Sequence, residues 1–559
     1  MENKRSQSYD EWFPESIDYP DKTMYELMAD AANRYKRNTA LSFMGTRITY
    51  NDLLCYVDKA ASSLKAMGAS RGDVAAVCLP NTPHAVIAFY ALNKIGAIAN
   101  MIHPLTPPEE LGKILSSTKS RFLFILDAFL PKYTEAISHT SAERTIVCSI
   151  TDYLSLAMSV GFYVTKGRKI KRLPPDACRI PWSDFISSPR SADTCSRPCD
   201  SAVYLHSGGT MGVPKTIVLS SMNMNALALQ GMHIVGMKDA STMSMAAILP
   251  LFHGFGLCIG MHTMMINGAN SILVPIFSPE NLASLLIREK PNFIAAVPTL
   301  LEGIMKNKKL AGKDLSYIKA VFCGGDTLTA DLKKRFDEFL VTHNCSVKVR
   351  EGYGLTETVT VCAVNPVGDN RAGTVGLPLA DIIVKIVEPG TEQALPADSA
   401  GEICVSGPTV MIGYLNDPDG TDQAVKVHSD GRRWVHTGDF GSLDKDGYIH
   451  FIQRMKRIIK VSGIPVFPSQ IEEIISGVPG VREVCAIGIP HPYKMQVVKV
   501  FIVSEDIADK EGLREKILET CKAKMIKHAV PSEIEFRESL PRTRVGKIDS
   551  KKLENESQK

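Results

Sequence analysis

The sequence predicts an α/β fold. A large N-terminal domain of two α/β subdomains plus a small β-barrel-like subdomain is followed by a small α+β C-terminal domain. Three observations predict this. Helical and strand periodicities alternate through residues 24–95 and again through 278–323. After residue 370 the pattern turns to short strands divided by glycine and Asp-Gly turns. From about Arg457 a strand, helix and strand set begins afresh. A chain of 559 residues can form two or more domains, each with a full core. The break is expected near Lys456, giving domains 1–455 and 456–559.

Taken in order, apolar residues at helical spacing predict a helix over 24–35. Short strand candidates at 40–43 and 47–48 flank a turn at Gly45, and 50–67 returns to helix. The continuous apolar run at 74–78 reads as a buried strand, followed by a helix over 84–95. Farther on, 280–288 and 300–306 are helical, whereas 293–297 and 320–323 read as strands. The β-rich region supplies strands at 382–387, 403–406 and 448–452. The polar ending ENESQK is expected to be disordered.

Apolar residues make up 45% of the chain and charged residues 22%, an ordinary globular balance. The net charge of +4 is too small to favour nucleic-acid binding as the main role, so small-molecule chemistry is expected. The opening MENKRSQSYDEWFPES holds no apolar core segment; neither a secretory signal nor a lipid anchor is read, and a cytoplasmic location is expected. The 13 cysteines lie mostly in apolar contexts such as Cys78, Cys258 and Cys485, which predicts reduced thiols. Cys195 and Cys199 form an isolated CxxxC without a second pair, so they read as loop cysteines rather than a zinc site.

Pro250, His253, Asn267 and Asn270 interrupt the apolar window 243–273, which argues against a membrane span there. A different apolar stretch opens at Tyr153 and runs to residue 164, followed by Lys166, Arg168, Lys169, Lys171 and Arg172. It has two readings: a helix lying on an anionic membrane surface, or a surface helix packed on the body of the protein.

The segment HSGGTMGVPKTIV, from His206 to Val218, carries the strongest chemical signal. Gly208, Gly209 and Gly212 let backbone approach an anion, Ser207 and Thr210 add hydroxyl donors, and Lys215 adds charge. No GxxxxGK[ST] pattern occurs here, and the β-branched run after Lys215 predicts a strand, loop, strand hairpin rather than a Walker loop. A serine hydrolase is excluded despite the GxSxG match at Gly68, Ser70 and Gly72. A nucleophile elbow joins a strand to a following helix, whereas here a helix leads into a strand.

Four further segments follow in order: LPLFHGFG from Leu249, EGYGLTE from Glu351, WVHTGDFGSLDKDGYIHFIQRMKRIIKVSG from Trp434, and PRTRVGKID from Pro541. With the glycine-rich loop they resemble the adenylate-forming superfamily of acyl-CoA synthetases, nonribosomal peptide adenylation domains and luciferases, over most of the chain from about residue 40. The resemblance implies activation of a carboxylic acid by ATP and Mg2+ to an acyl-AMP with release of pyrophosphate. Thioester formation with coenzyme A would follow on a mobile small domain. The glycine-rich loop would hold the β and γ phosphates. Met211 replaces a hydroxyl residue of the family's loop and removes one donor, and Gly208 is a milder departure.

By the same resemblance Gly325, Asp326, Glu351 and Gly352 border the adenine, and Tyr353 stacks on it. Thr356 sits near the α-phosphate, and Glu357 is the magnesium ligand. Asp439 holds the ribose hydroxyls with Arg454 as companion, while Lys547 bridges the acyl carboxylate and phosphate. His253 lies near the substrate carboxylate, and Phe255 and Gly325 line the acyl tunnel, whose floor is expected from Met261, Val297 and Val359. Lys456 is the hinge, Arg457 replaces a common acidic residue, and Gly463 borders the pantetheine tunnel. No acidic residue lies between Leu249 and Gly268 to pair with a substrate amino group, which favours a plain apolar acid, a medium- or long-chain fatty acid. Two alternatives stand beside this reading. One is acyl transfer to the phosphopantetheine arm of an acyl carrier protein. The other is a non-catalytic nucleotide-binding homologue.

Overall fold

The computed structural model describes residues 14–165, 167–170, 173–189, 192–207, 215–276, 279–504, 509–543 and 548–557. Two mixed sheets organise the large domain. The first has eight strands in the order Gly413–Tyr414, Thr216–Ser220, Ser201–His206, Ile98–Met101, Val74–Cys78, Ser120–Leu126, Arg144–Cys148 and Arg179–Pro181. Its pairings are parallel from Ser201–His206 outward through Val74–Cys78 to the far edge. Ser201–His206 and Thr216–Ser220 pair antiparallel, with His206 opposite Thr216. The glycine-rich segment therefore does join the two strands of a hairpin.

The second sheet has nine strands, from Leu377–Pro378 at one edge through Val349–Tyr353, Ala320–Cys323, Phe293–Ala296 and Ser244–Ala247 to the Thr39–Phe43 and Thr46–Thr49 hairpin. One continuous core joins the two sheets, drawing Val77, Ala99, Val203 and Leu205 from the first and Phe43, Met245, Leu273 and Phe293 from the second. The helix Pro83–Lys94 is apolar on nearly every side and buried along its whole length within this core. Helix Met24–Arg34 starts from a reciprocal cap in which Thr23 and Glu26 satisfy each other's backbone amides.

The β-rich region folds as a five-stranded antiparallel sheet built on the long strand Arg433–Leu443, with Ala400–Ser406 and Ile449–Arg454 as neighbours. Register shifts between Glu402 and Cys404 and between Phe440 and Gly441 bend it. The small C-terminal domain is α+β, with strands Ile459–Val461, Ile464–Val466, Val481–His491, Met495–Ser504 and Glu533–Phe536. Helices Pro468–Ser476 and Lys510–Lys524 pack there on a core of its own, including Ile471, Ile475, Val500 and Ile517.

The expected disorder of the polar ending needs correction. Most of it is helical, Ser550–Ser557, because Leu553 is fully buried and Arg537 ion-pairs with Glu556. The apolar window 243–273 folds as a strand, a π-helix at Phe255–His262, a short helix and a second strand. Among the described residues no helix is long and apolar enough to cross a membrane.

Candidate active site

A cavity of about 3600 Å³ opens where the three sheets meet the small domain. The strand ends deliver its polar groups. The Val349–Tyr353 strand brings Glu351, Gly352 and Tyr353, and the turn after it brings Thr356 and Glu357. That turn doubles back so closely that a Cβ on Gly354 would stand 1.9 Å from the Thr360 carbonyl oxygen. Only glycine fits there. The LPLFHGFG turn meets the same loop, since a Cβ on Gly254 would stand 2.0 Å from the Val359 carbonyl oxygen. This contact aims His253 and Phe255 into the cavity. The His253 imidazole is held by its own turn, with Nδ1 accepting the Phe255 amide at 3.2 Å.

Tyr353 and Asp439 stand 86 positions apart in sequence, yet the tyrosine hydroxyl donates to Asp439 Oδ2 at 2.6 Å. Asp439 is fully buried, and Arg454, its cross-strand partner, reaches Oδ1 with Nε at 2.9 Å. Burial, then the Asp439 charge, pushes the Tyr353 phenol well above its usual range, so it remains a donor. Glu351 is less exposed to water than a surface carboxylate, and burial raises its pKa to about 7 against the pull of Lys333. Asp326 and Gly325, at the end of Ala320–Cys323, complete this side of the cavity.

The hairpin loop is clamped at its neck. The Ser207 amide donates to the Lys215 carbonyl at 3.0 Å, and the Ser207 hydroxyl accepts the Lys215 amide at 3.2 Å. Behind it His206 bridges Asn100 and Thr216, and burial lowers its pKa to about 4, so the imidazole is neutral. Gly208, Gly209, Thr210, Met211 and Gly212 lie outside the described residues, as does Lys547. Thr543 and Ile548, on either side of the Lys547 segment, both line the cavity.

Sequence reasoning missed Tyr414. Its hydroxyl donates to Glu357 Oε1 at 2.8 Å, and Lys215 Nζ sits 4.2 Å from the centre of its ring. Lys215 also pairs with Asp417 at 3.2 Å. The GYLNDP segment holding both residues was the available signal, but only the antiparallel pairing of Tyr414 with Ile217 puts them beside the strand that follows the glycine-rich loop. Glu402 was missed as well: it accepts the Gly438 amide at 3.1 Å and meets His436 Nδ1 at 3.0 Å, bracing the stretch of strand that presents Asp439.

An apolar wall faces these groups. Gly231, Ile234 and Val235 come from one helix, Ile259 and Met264 from the π-helix and its extension, and Met245, Phe293 and Phe322 from strands. Of the expected floor residues, Val297 stands beside the cavity-lining Gly325, its Cγ1 3.8 Å from the place a Cβ on that glycine would take, whereas Val359 is fully buried. Met261 is fully buried elsewhere in the core. Lys456 is exposed and lines the cavity, in the short turn that leads to the small domain. Arg457 is committed to that domain, bonding Glu472 at 2.6 Å and the Ala486 carbonyl at 3.2 Å. Gly463 is not brought to the site. It forms the hairpin turn between Ile459–Val461 and Ile464–Val466 with a φ of +83°, and a Cβ there would have no described atom within 4 Å.

A hairpin clamped at its neck, a buried carboxylate flanked by tyrosine and arginine, and a small domain over one cavity are the arrangement expected of an adenylate-forming enzyme. Residues 28–415 match the AMP-binding enzyme family and residues 470–547 its C-terminal domain. The chain belongs to this family, on its acyl-CoA synthetase branch. It is 30% identical to a long-chain-fatty-acid–CoA ligase of Bacillus subtilis (strain 168), across 97% of this chain and 95% of that protein. A ligase of the same description from Salmonella typhimurium is 30% identical, across 96% and 95%. In fold it is similar to the anthranilate CoA ligase AuaEII in complex with anthranoyl-AMP, with a TM-score of 0.84 and 24% identity over 97% of this chain and 98% of that one.

Proposed function

We propose that this enzyme activates an apolar carboxylic acid, a medium- or long-chain fatty acid, with ATP and passes the acyl group to coenzyme A. The observation that carries the reading is the cavity's apolar wall. Gly231, Ile234, Val235, Met245, Ile259, Met264, Phe293 and Phe322 offer surface for a hydrocarbon chain and no charge for a substrate amine.

The polar groups divide the remaining work. The clamped hairpin and Lys215 receive the β and γ phosphates, the Tyr353 ring stacks on adenine, and Gly325, Asp326, Glu351 and Gly352 border that base. Asp439, oriented by Tyr353 and Arg454, accepts the ribose hydroxyls. The Glu357 carboxylate beside Thr356 is a hard oxygen donor held in the cavity by Tyr414, which fits a magnesium ion. Bound with ATP, magnesium would neutralise phosphate charge. His253 and Phe255, which line the cavity, would meet the acid's carboxylate beside the apolar wall.

In the first half-reaction a carboxylate oxygen attacks the α-phosphorus and pyrophosphate leaves, giving acyl-AMP. Lys547 neutralises the charge that gathers between the two anions. In the second, the coenzyme A sulfur, having lost its proton, attacks the acyl carbonyl and AMP leaves. The 456–559 domain turns about Lys456 between these steps, which would carry the hairpin of Gly463 to the cavity from its place outside it.

Acid-dependent pyrophosphate release from ATP, measured over saturated acids of rising length, aryl acids and amino acids with and without coenzyme A, tests this reading. Release stimulated by apolar acids and converted to acyl-CoA is expected. Release without a thioester would shift the acceptor to a carrier protein's phosphopantetheine arm. No release with any acid would leave a nucleotide-binding protein without turnover.

A further inference from the structure

Helix Leu156–Thr165 has no buried residue. Its outward stripe, Leu156, Val160, Tyr163 and Val164, follows the i, i+4, i+7, i+8 spacing that surface helices ordinarily turn toward a core. Here that stripe faces water, with Leu156 85%, Val160 58%, Tyr163 53% and Val164 53% exposed. The opposite side leans on the body, where Met158 Sδ lies 3.7 Å from the place a Cβ on Gly45 would take.

The helix is rooted firmly. Just before it, Asp152 meets the buried His84 Nε2 at 2.9 Å, and the Tyr153 hydroxyl accepts Trp182 Nε1 at 3.1 Å. His84 also lies edge-on to both the Tyr153 and Trp182 rings at 4.8 Å. An apolar face held out by such an anchor is a built feature of the surface, since fraying cannot explain it. Immediately after the helix the sequence places Lys166, Arg168, Lys169, Lys171 and Arg172, and no acidic residue occurs from 153 to 175.

We propose that this helix docks the enzyme on an anionic phospholipid bilayer, the apolar stripe entering the headgroup and acyl boundary while the exposed Arg168 and Lys169 pair with lipid phosphates. Charge decides between occupants. A second copy would bring its own Arg168 and Lys169 against these two and be repelled, whereas an anionic surface complements them. The inference is independent of which acid the enzyme activates.

The test is flotation of the full chain with vesicles of phosphatidylcholine alone or of equal parts phosphatidylcholine and phosphatidylglycerol, at low and high salt. Acid-dependent pyrophosphate release in vesicle-free solution serves as the check on folding. Binding to the mixed vesicles, weakened by salt, is expected. The Arg168→Glu, Lys169→Glu double variant should bind at least about thirtyfold more weakly, from about 1 kcal/mol per basic residue. The Leu156→Ser, Val160→Ser, Val164→Ser variant should lose binding to vesicles of either composition. Equal binding to neutral and mixed vesicles, or variants that bind like the parent, would overturn the proposal. So would a concentration-dependent dimer abolished by the triple substitution without vesicle binding, which would assign the stripe to a second copy.

Discussion

Replacing Tyr414 with phenylalanine deletes one oxygen and keeps the ring. The deleted hydroxyl donates to Glu357 Oε1 at 2.8 Å, a bond to an ionised acceptor. Burial, then the Glu357 charge, pushes the Tyr414 phenol above its usual range, so it is a donor at every working pH. Bonds of this kind contribute about 1.5–3 kcal/mol, which converts to a fall of about tenfold to 150-fold in kcat/KM for magnesium-ATP. Lys215 should stay in place, because its contact is with the ring at 4.2 Å. Tyr414→Ala removes that contact too and should lose a further factor of about two to five, the worth of a half-exposed cation over a ring. The assay is pyrophosphate release at saturating acid with magnesium-ATP varied. A Tyr414→Phe variant with the parent's magnesium-ATP dependence would refute the assignment of Glu357 and Tyr414 to the metal and phosphate side of the cavity.

Three other changes follow from the same geometry. Asp439→Ala leaves the buried Tyr353 hydroxyl without its carboxylate acceptor, so stability in urea should fall by about 1–3 kcal/mol and KM for ATP should rise. In Gly231→Leu a side chain grows toward Thr263, since even a Cβ would stand 2.8 Å from Thr263 Cγ2. The preferred acid should shorten, with about a fourfold loss in kcat/KM for each methylene no longer accommodated, as competition among acids of different length would read. Glu351 holds its proton more tightly folded than unfolded, with a pKa raised from 4.5 to about 7. Its effect is therefore neutral below 4.5 and increasingly destabilising from 4.5 to 7, by up to about 3 kcal/mol at the top of that window. Unfolding measured across that window should lose this fall in Glu351→Gln.

Much of this was legible in the chain because it is local. The helix at Met24–Arg34 and the strands Val74–Cys78 and Ala320–Cys323 follow from spacing and apolar runs, within a residue or two of expectation. The glycine-rich hairpin was readable because β-branched residues continue directly after Lys215. What was not legible depends on pairing across long separations. Tyr414 bonds Glu357 57 positions away only because its strand sits against Thr216–Ser220, a register no local pattern encodes. One expected floor residue, Met261, was misplaced for a different reason. Phe255–His262 is a π-helix, whose wider turn changes which residues share a face, so Ile259 lines the cavity and Met261 does not. The final helix was misread because one apolar residue, Leu553, outweighed its polar neighbours. The stripe at Leu156 could be seen as apolar, but its exposure is a property of the assembled surface.

The central claim is that a carboxylate oxygen attacks the α-phosphorus of ATP in this cavity. The direct measurement supplies a saturated fatty acid labelled with oxygen-18 in both carboxylate positions, together with ATP, magnesium and coenzyme A, and reads the products by mass spectrometry. The expected result is acyl-CoA together with AMP carrying a single oxygen-18 atom, the oxygen left on phosphorus when the acyl group departs. Label in inorganic phosphate with ADP as the nucleotide product, or AMP formed without label, would contradict it.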